Sequence, residues 1–111
     1  MSNYFESEDL AKFGQIGRHA PKLAEDFFKY YGNVTATDGA LSKREKALIA
    51  LAVAHAQKCA YCIDAYTTQC LETGSNPEQM MEAVHVAAVM QAGITLAHSV
   101  QMYNHLDKLV L

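Results

Sequence analysis

Residues 43–93, KREKALIALAVAHAQKCAYCIDAYTTQCLETGSNPEQMMEAVHVAAVMQAG, carry the clearest structural signals of this 111-residue chain. They open with an Ala/Leu-rich run that would place apolar residues on nearly every face of a helix, which predicts a buried helix. A second helix begins at Cys59 and Cys62, which form a Cys-x-x-Cys sequence, and ends at Gly74. Since no part of the chain shows a long alternation of apolar and polar residues with β-branched enrichment, we expect an all-α fold, a compact helical bundle.

Two further signals mark helix starts. Ser42 and Glu45 have the spacing of a capping box, in which the serine accepts a hydrogen bond from an exposed amide and the glutamate reaches back to another. Ser75 and Glu78 have the same spacing around Pro77, a residue that favours the first helical turn. The predicted helices cover about residues 7–31 with a break near residue 21, then 42–56, 59–73, 77–91 and 94–108.

Length and composition limit the classes of protein that the chain can belong to. With 111 residues and no linker or repeat, it predicts a single domain over residues 1–111. A formal net charge of −3 and no basic stripe argue against nucleic acid as a partner. The acidic amino terminus does not resemble a secretory signal, so we expect a cytoplasmic protein. Residues 83–100 approach the length of a membrane span, but we interpret them as two helices buried in protein and expect no membrane association.

Three cysteines, an odd number in a chain without a visible export signal, favour redox or metal chemistry over a disulfide-stapled scaffold. A zinc site needs about four ligands and one Cys-x-x-Cys supplies two, so we expect no zinc and no other cofactor. Cys70 lies eight residues after Cys62 on the same predicted helix, a rise of about 12 Å, too far for both to bind one ion. A cysteine in the first turn of a helix meets unpaired amides that stabilise its thiolate. The alternative is a pair of buried, inert cysteines.

The order of features in residues 43–93 resembles the core of the carboxymuconolactone decarboxylase and AhpD-like alkylhydroperoxidase superfamily. The shared features are the buried Ala/Leu-rich helix, the Cys-x-x-Cys at the start of the next helix, and the turn with a helix-start signal before another apolar helix. The resemblance implies an all-helical trimer or hexamer. It also implies that Cys62 attacks peroxide through a sulfenic acid, that Cys59 resolves it as a disulfide, and that a dithiol such as a lipoyl protein regenerates the pair.

The chain departs from this family at its proton relay. The family has a glutamate twelve residues before the first cysteine and a histidine four residues after the second, where this chain has Ala47 and Tyr66. Alanine cannot accept the thiol proton, and tyrosine, with an ordinary pKa of about 10, is a poor base. Disulfide exchange is therefore more plausible than fast peroxide reduction, because a thiolate stabilised by a helix N-terminus needs less help from a base.

Three side chains are candidates to replace the relay, and with Cys59 and Cys62 they complete the predicted catalytic site. His85, on the helix after Gly74, is the better candidate base, since it could approach the dithiol from across the core. His55 lies four residues before the first cysteine, although a hydrogen-bonded histidine at a helix end is the more ordinary interpretation. Tyr66 could donate a hydrogen bond to a thiolate or a bound oxygen, or simply pack in the core.

The sequence is also compatible with two other hypotheses. In a non-enzymatic or degenerate member of the family, the dithiol could bind a thiophilic metalloid such as arsenite, with the third sulfur supplied by a neighbouring subunit, as part of an arsenic-related pathway. Alternatively, the cysteines could be relics that never change redox state. If they form a redox centre, Cys59 and Cys62 must lie within disulfide reach, with at least one sulfur open to a pocket.

Overall fold

The computed structural model describes residues 6–110, and within that range its regular elements are all helical. A short α1 and a 3₁₀ helix precede α2, and four further helices follow. The elements are α1 (Ser7–Leu10), the 3₁₀ helix (Ala11–Gly17), α2 (Pro21–Thr35), α3 (Lys43–Ala56), α4 (Ala60–Glu72), α5 (Pro77–Ala97) and α6 (Ser99–Leu109). The all-α prediction is therefore confirmed for the described residues.

The capping residues show why α3 and α5 begin where they do. At α3, the Glu45 N–H donates to Ser42 Oγ at 3.1 Å and the Ser42 N–H donates to Glu45 Oε1 at 2.9 Å, so the predicted capping box is confirmed. At α5 the prediction is wrong by one residue. Asn76 and Gln79 form the capping box, with hydrogen bonds of 2.8 and 3.0 Å. Ser75 is instead buried, so its hydroxyl does not cap α5.

The core lies where α3 meets α4 and α5. Ala47, Leu51 and Cys70 form its buried cluster, and Leu48, Tyr66 and Met80 pack against it. The prediction that α3 is buried all round is wrong for a single chain, because Ile49 and Val53 on its other faces are half exposed. The core of one chain is thus confined to one face of α3.

Helix α5 continues past the predicted boundary near Gly93 and ends at Ala97. Gly93 does not adopt the left-handed conformation that ends many helices, whereas Gly74, with φ +96°, does so after α4. Together α5 and α6 form the one stretch among the described residues, Pro77–Leu109, that is long and apolar enough to span a membrane. Only 6% of its most apolar window is buried within the chain, so the expectation of two protein-buried helices fails for the isolated chain.

The exposed apolar side chains of these two helices form what we call the α5–α6 surface. The residues that define it are Val86, Val89, Met90, Ile94, Val100 and Leu106, all with more than two fifths of their surface exposed. The radius of gyration is 18.9 Å, whereas a compact chain of this length has about 13 Å. The chain is therefore extended, and much of its apolar area has no cover from its own residues.

The amino-terminal segment folds back on α2 through aromatic contacts. The predicted break near Pro21 is confirmed, since Pro21 is the first residue of α2. The ring of Phe13, on the 3₁₀ helix, lies 5.2 Å from that of Phe28 in an edge-to-face contact. Helix α2 then runs to Thr35, into residues expected to form a loop. This packing holds the 3₁₀ helix against α2.

Candidate dithiol site

A tight turn between α3 and α4 sets the position of the first cysteine. Lys58 has φ +56°, in the left-handed region, which reverses the chain directly after α3. The Cys59 N–H then donates to the Ala54 carbonyl at 2.9 Å, and the Lys58 N–H donates to the His55 carbonyl at 3.2 Å. These bonds use carbonyls that the end of α3 leaves unpaired. They hold Cys59 at the N-terminus of α4.

Cys59 is the N-cap residue of α4 and uses its sulfur as the cap. Its Sγ accepts a hydrogen bond from the Cys62 N–H at 3.3 Å, the role that a serine or aspartate oxygen usually fills. The Sγ atoms of Cys59 and Cys62, both free thiols, are 2.7 Å apart. A disulfide bond is about 2.05 Å long, so a small rotation of the side chains would close one. The geometry meets the requirement of disulfide reach.

The pKa values of the two thiols are shifted in opposite directions. Hydrogen bonds from the Cys62 thiol and backbone amide, and one from the Tyr61 amide, lower the pKa of Cys59. Burial raises the pKa of Cys62 to about 11, and the hydrogen bond and charge of Cys59 add to this effect. The first proton lost by the pair therefore leaves a thiolate on Cys59. This favours Cys59 as the attacking sulfur, whereas the family resemblance implies Cys62.

Both thiols line a cavity of about 550 Å³ between the amino-terminal segment and α4. The residues that line it lie on α1, the 3₁₀ helix, α2 and the first turns of α4. Most of them are aromatic or aliphatic. Both cysteines are partly exposed, so a molecule in the cavity can reach sulfur. An accessible thiolate at a helix N-terminus is the arrangement expected of a reactive cysteine.

At the two positions where the family has its proton-relay residues, this chain has side chains that pack in the core. Ala47, where the family has glutamate, is 2% exposed and part of the core cluster, and Tyr66 packs against that cluster. The Tyr66 hydroxyl is hydrogen-bonded to the Tyr31 hydroxyl on α2. Burial and this bond raise the pKa of Tyr66 well above its usual range, so Tyr66 is a neutral donor rather than a base.

Within one chain, the two candidate histidines, His55 and His85, do not line the cavity that contains the thiols. The His55 Nδ1 is 2.8 Å from the Leu51 carbonyl one turn earlier, the ordinary interpretation of a histidine near a helix end. His85 is exposed on α5. Catalytic roles for both histidines stay predictions.

Cys70 is fully buried, and burial raises its pKa. It belongs to the core cluster and does not line the thiol cavity. The described residues of one chain therefore bring two sulfurs together rather than three. Arsenite binding through three thiolates stays a prediction that depends on a neighbouring subunit.

Sequence reasoning missed the part that the amino-terminal segment plays in the site. Phe13 and Ile16 on the 3₁₀ helix, with Phe27 and Tyr31 on α2, line the cavity. The signal available was their helical spacing, which predicts an apolar face but not what that face contacts. Tyr31 is the residue whose role matters most, because it fixes the hydroxyl of Tyr66.

The pKa difference between the two thiols predicts how their alkylation depends on pH. Only thiolate reacts, so the rate at each cysteine rises with pH and levels off above its pKa. With iodoacetamide at pH 7 and mass mapping of the products, we expect Cys59 to react at least about tenfold faster than Cys62. Cys70 serves as the internal control and should react only in denaturant. Faster labelling of Cys62 at neutral pH would contradict the assignment of the thiolate to Cys59.

Comparisons with known proteins add the family context. The model of the carboxymuconolactone decarboxylase family matches residues 21–104. A protein of Paracoccus denitrificans described as uncharacterized protein 4 in the cox locus is 39% identical over 99 residues, which are 89% of this chain and 88% of that protein.

Two crystal structures share the fold. A protein from Methanobacterium thermoautotrophicum superimposes with a TM-score of 0.70 and 30% identity, covering 78% of this chain and 96% of that one. A carboxymuconolactone decarboxylase family protein from Legionella pneumophila, in its apo form, has a TM-score of 0.66 and 25% identity, covering 85% and 90% of the two chains. The overall helical fold is thus shared with solved proteins.

Proposed function

The chain belongs to the carboxymuconolactone decarboxylase family, and from this premise we propose that it is an AhpD-like thiol–disulfide oxidoreductase that works through Cys59 and Cys62. The observation that carries the proposal is the pair of free thiols 2.7 Å apart at the N-terminus of α4. The lowered pKa of Cys59 and the adjoining cavity support it further. A pair of inert cysteines would need none of these features.

The reaction transfers two electrons from the dithiol to a disulfide substrate. The Cys59 thiolate attacks one substrate sulfur, which breaks the substrate S–S bond, releases one thiolate product and leaves a mixed disulfide on Cys59. The Cys62 thiol then loses its proton to solvent and attacks the Cys59 sulfur. This step releases the second product thiolate and forms the Cys59–Cys62 disulfide. Turnover requires an external dithiol, such as a lipoyl protein, that reduces this bond.

Peroxide is the less suitable oxidant for this site. Reduction of a hydroperoxide requires the leaving oxygen to be protonated, a step in which a positioned acid or base contributes about 10²–10⁴-fold. Among the described residues, those that line the thiol cavity include no histidine, and their one carboxylate, Asp9, is paired with Lys12 at 3.0 Å. Disulfide exchange releases a thiolate, a better leaving group that depends less on a proton donor.

The active form in this proposal is a homo-oligomer, a trimer or hexamer, in the cytoplasm. The α5–α6 surface supports it, because exposed apolar area of this extent is typical of subunit interfaces rather than of monomers. A reducing cytoplasm would also keep three cysteines free. No nucleic-acid or membrane partner forms part of the proposal.

A single-turnover assay tests the proposed activity. Reduced protein, freed of reductant, is mixed with excess bis(2-hydroxyethyl) disulfide or with hydrogen peroxide, and the thiols are mapped by mass spectrometry over time. We expect a Cys59–Cys62 disulfide and two product thiols per chain from the disulfide. We expect peroxide to react no faster than about tenfold above a free dithiol with the same thiolate fraction. Failure to form the Cys59–Cys62 disulfide with the first reagent would refute the proposal.

A further inference from the structure

The cavity beside the thiols is built to hold an apolar molecule. Its volume of about 550 Å³ lies within the range of roughly 300–1,000 Å³ typical of small-molecule sites. Phe13 and Ile16 on the 3₁₀ helix and Phe27 on α2 form its apolar wall. These three side chains are each more than two fifths exposed, so they present apolar area that a ligand can cover.

The aromatic wall is held in place before any ligand arrives. The rings of Phe13 and Phe27 meet edge to face at 6.3 Å, and the Phe27 ring lies 5.8 Å from that of Tyr31. The Tyr31 hydroxyl is bonded to that of Tyr66, which belongs to the same helix as the thiols. The wall and the dithiol are therefore parts of one connected structure. Ordering these side chains would cost little free energy when a ligand binds.

Apart from the Cys59 thiolate itself, the described residues that line the cavity offer no unpaired charge to a substrate. The charged residues that line it are Asp9 and Lys12, which neutralise each other at 3.0 Å. A carboxylate-bearing disulfide such as oxidised glutathione would lose water there without gaining a counter-ion. An uncharged apolar group instead gains by leaving water, at roughly 25 cal/mol for each Å² it buries.

We propose that the substrate is a small-molecule disulfide with an uncharged apolar body, whose rings or branched chains lie against Phe13, Ile16 and Phe27 while its sulfurs meet Cys59. The inference rests on the proposed function and names its substrate class. The electrons move as already described: the Cys59 thiolate displaces one apolar thiolate, and Cys62 displaces the other. A protein disulfide or a charged peptide disulfide lacks the body that this cavity binds.

Three disulfides distinguish this proposal from unselective exchange. Dibenzyl disulfide is apolar, bis(2-hydroxyethyl) disulfide is polar and uncharged, and oxidised glutathione is charged. Each single-turnover rate with the reduced protein is divided by the rate of the same disulfide with free dithiothreitol, which removes differences in intrinsic reactivity. We expect the normalised rate of dibenzyl disulfide to exceed both others by at least about tenfold.

Two variants locate the effect in the cavity. Ile16→Asp places a charge in the apolar wall and should lower the ratio of the dibenzyl rate to the bis(2-hydroxyethyl) rate about tenfold, whatever it does to the thiolate that both substrates meet. Leu23→Asp adds the same charge on α2, at a residue that is 72% exposed and does not line the cavity, and should change neither rate. Equal normalised rates for the three disulfides would overturn the substrate class alone. No reaction with any of them would overturn the proposed function as well.

Discussion

Replacing Cys59 with serine should stop the first step of disulfide exchange, with a loss of at least about 10³-fold, whereas Cys62→Ser should leave that step within about tenfold of the wild type. The reason is that Cys59 is the thiol whose pKa is lowered, while the pKa of Cys62 is raised to about 11. In the Cys62→Ser variant the substrate remains attached to Cys59, because no resolving thiol can displace it. Intact-mass spectrometry during a single turnover measures both effects.

The control for this pair is Cys70→Ala, which removes the third thiol from the core without altering the cavity. It should exchange at the wild-type rate, although the lost core volume lowers its stability by about 1 kcal/mol. The reverse pattern would show that Cys62 is the attacking sulfur and Cys59 the resolving one, as the family resemblance implies. In that case Cys59→Ser would accumulate a mixed disulfide on Cys62, and Cys62→Ser would be inert.

The second large effect concerns assembly. Ile94→Glu places a carboxylate in the middle of the α5–α6 surface, where the native side chain is 51% exposed in one chain. If a second copy covers that surface, the charge would be buried without a partner, at a cost of several kcal/mol per subunit. We expect the wild type to sediment as a trimer or hexamer at micromolar concentration, and the variant to sediment mainly as a monomer.

A matched control adds the same charge to a polar residue of α6. Gln101→Glu should keep the wild-type sedimentation coefficient, because residue 101 is not part of the α5–α6 surface that we define. A wild-type protein that sediments as a monomer at all concentrations would contradict the proposed assembly. Recovery of the chain in the membrane fraction would show that lipid, rather than a second copy, covers Pro77–Leu109.

Local signals in the sequence were enough for most of the fold. The capping box of Ser42 and Glu45 and the helix start at Pro77 depend on residues within one turn of each other, so their spacing is informative. Errors arose where a choice between neighbours depended on packing. Asn76 caps α5 while Ser75 is buried, and spacing does not reveal which of two neighbouring residues is buried.

For the candidate site too, features set by neighbouring residues could be predicted from the sequence, and features set by contacts between distant residues could not. That Cys59 and Cys62 share the first turn of α4 could be predicted from three residues of separation. The contact between Tyr31 and Tyr66 joins residues 35 positions apart on different helices, and no local pattern indicates it. The exposure of His85 was also unpredictable, since the apolar residues around it suggest a buried helix whereas one chain leaves α5 uncovered.

The central claim is that Cys59 and Cys62 form a working redox pair, and a redox titration tests it most directly. Purified protein is equilibrated in dithiol/disulfide buffers of graded potential, remaining thiols are alkylated, and all three cysteines are mapped by mass spectrometry. We predict one reversible two-electron transition in which Cys59 and Cys62 lose their thiols together while Cys70 keeps its own. Three thiols that oxidise slowly and independently, with no Cys59–Cys62 disulfide at any potential, would contradict it.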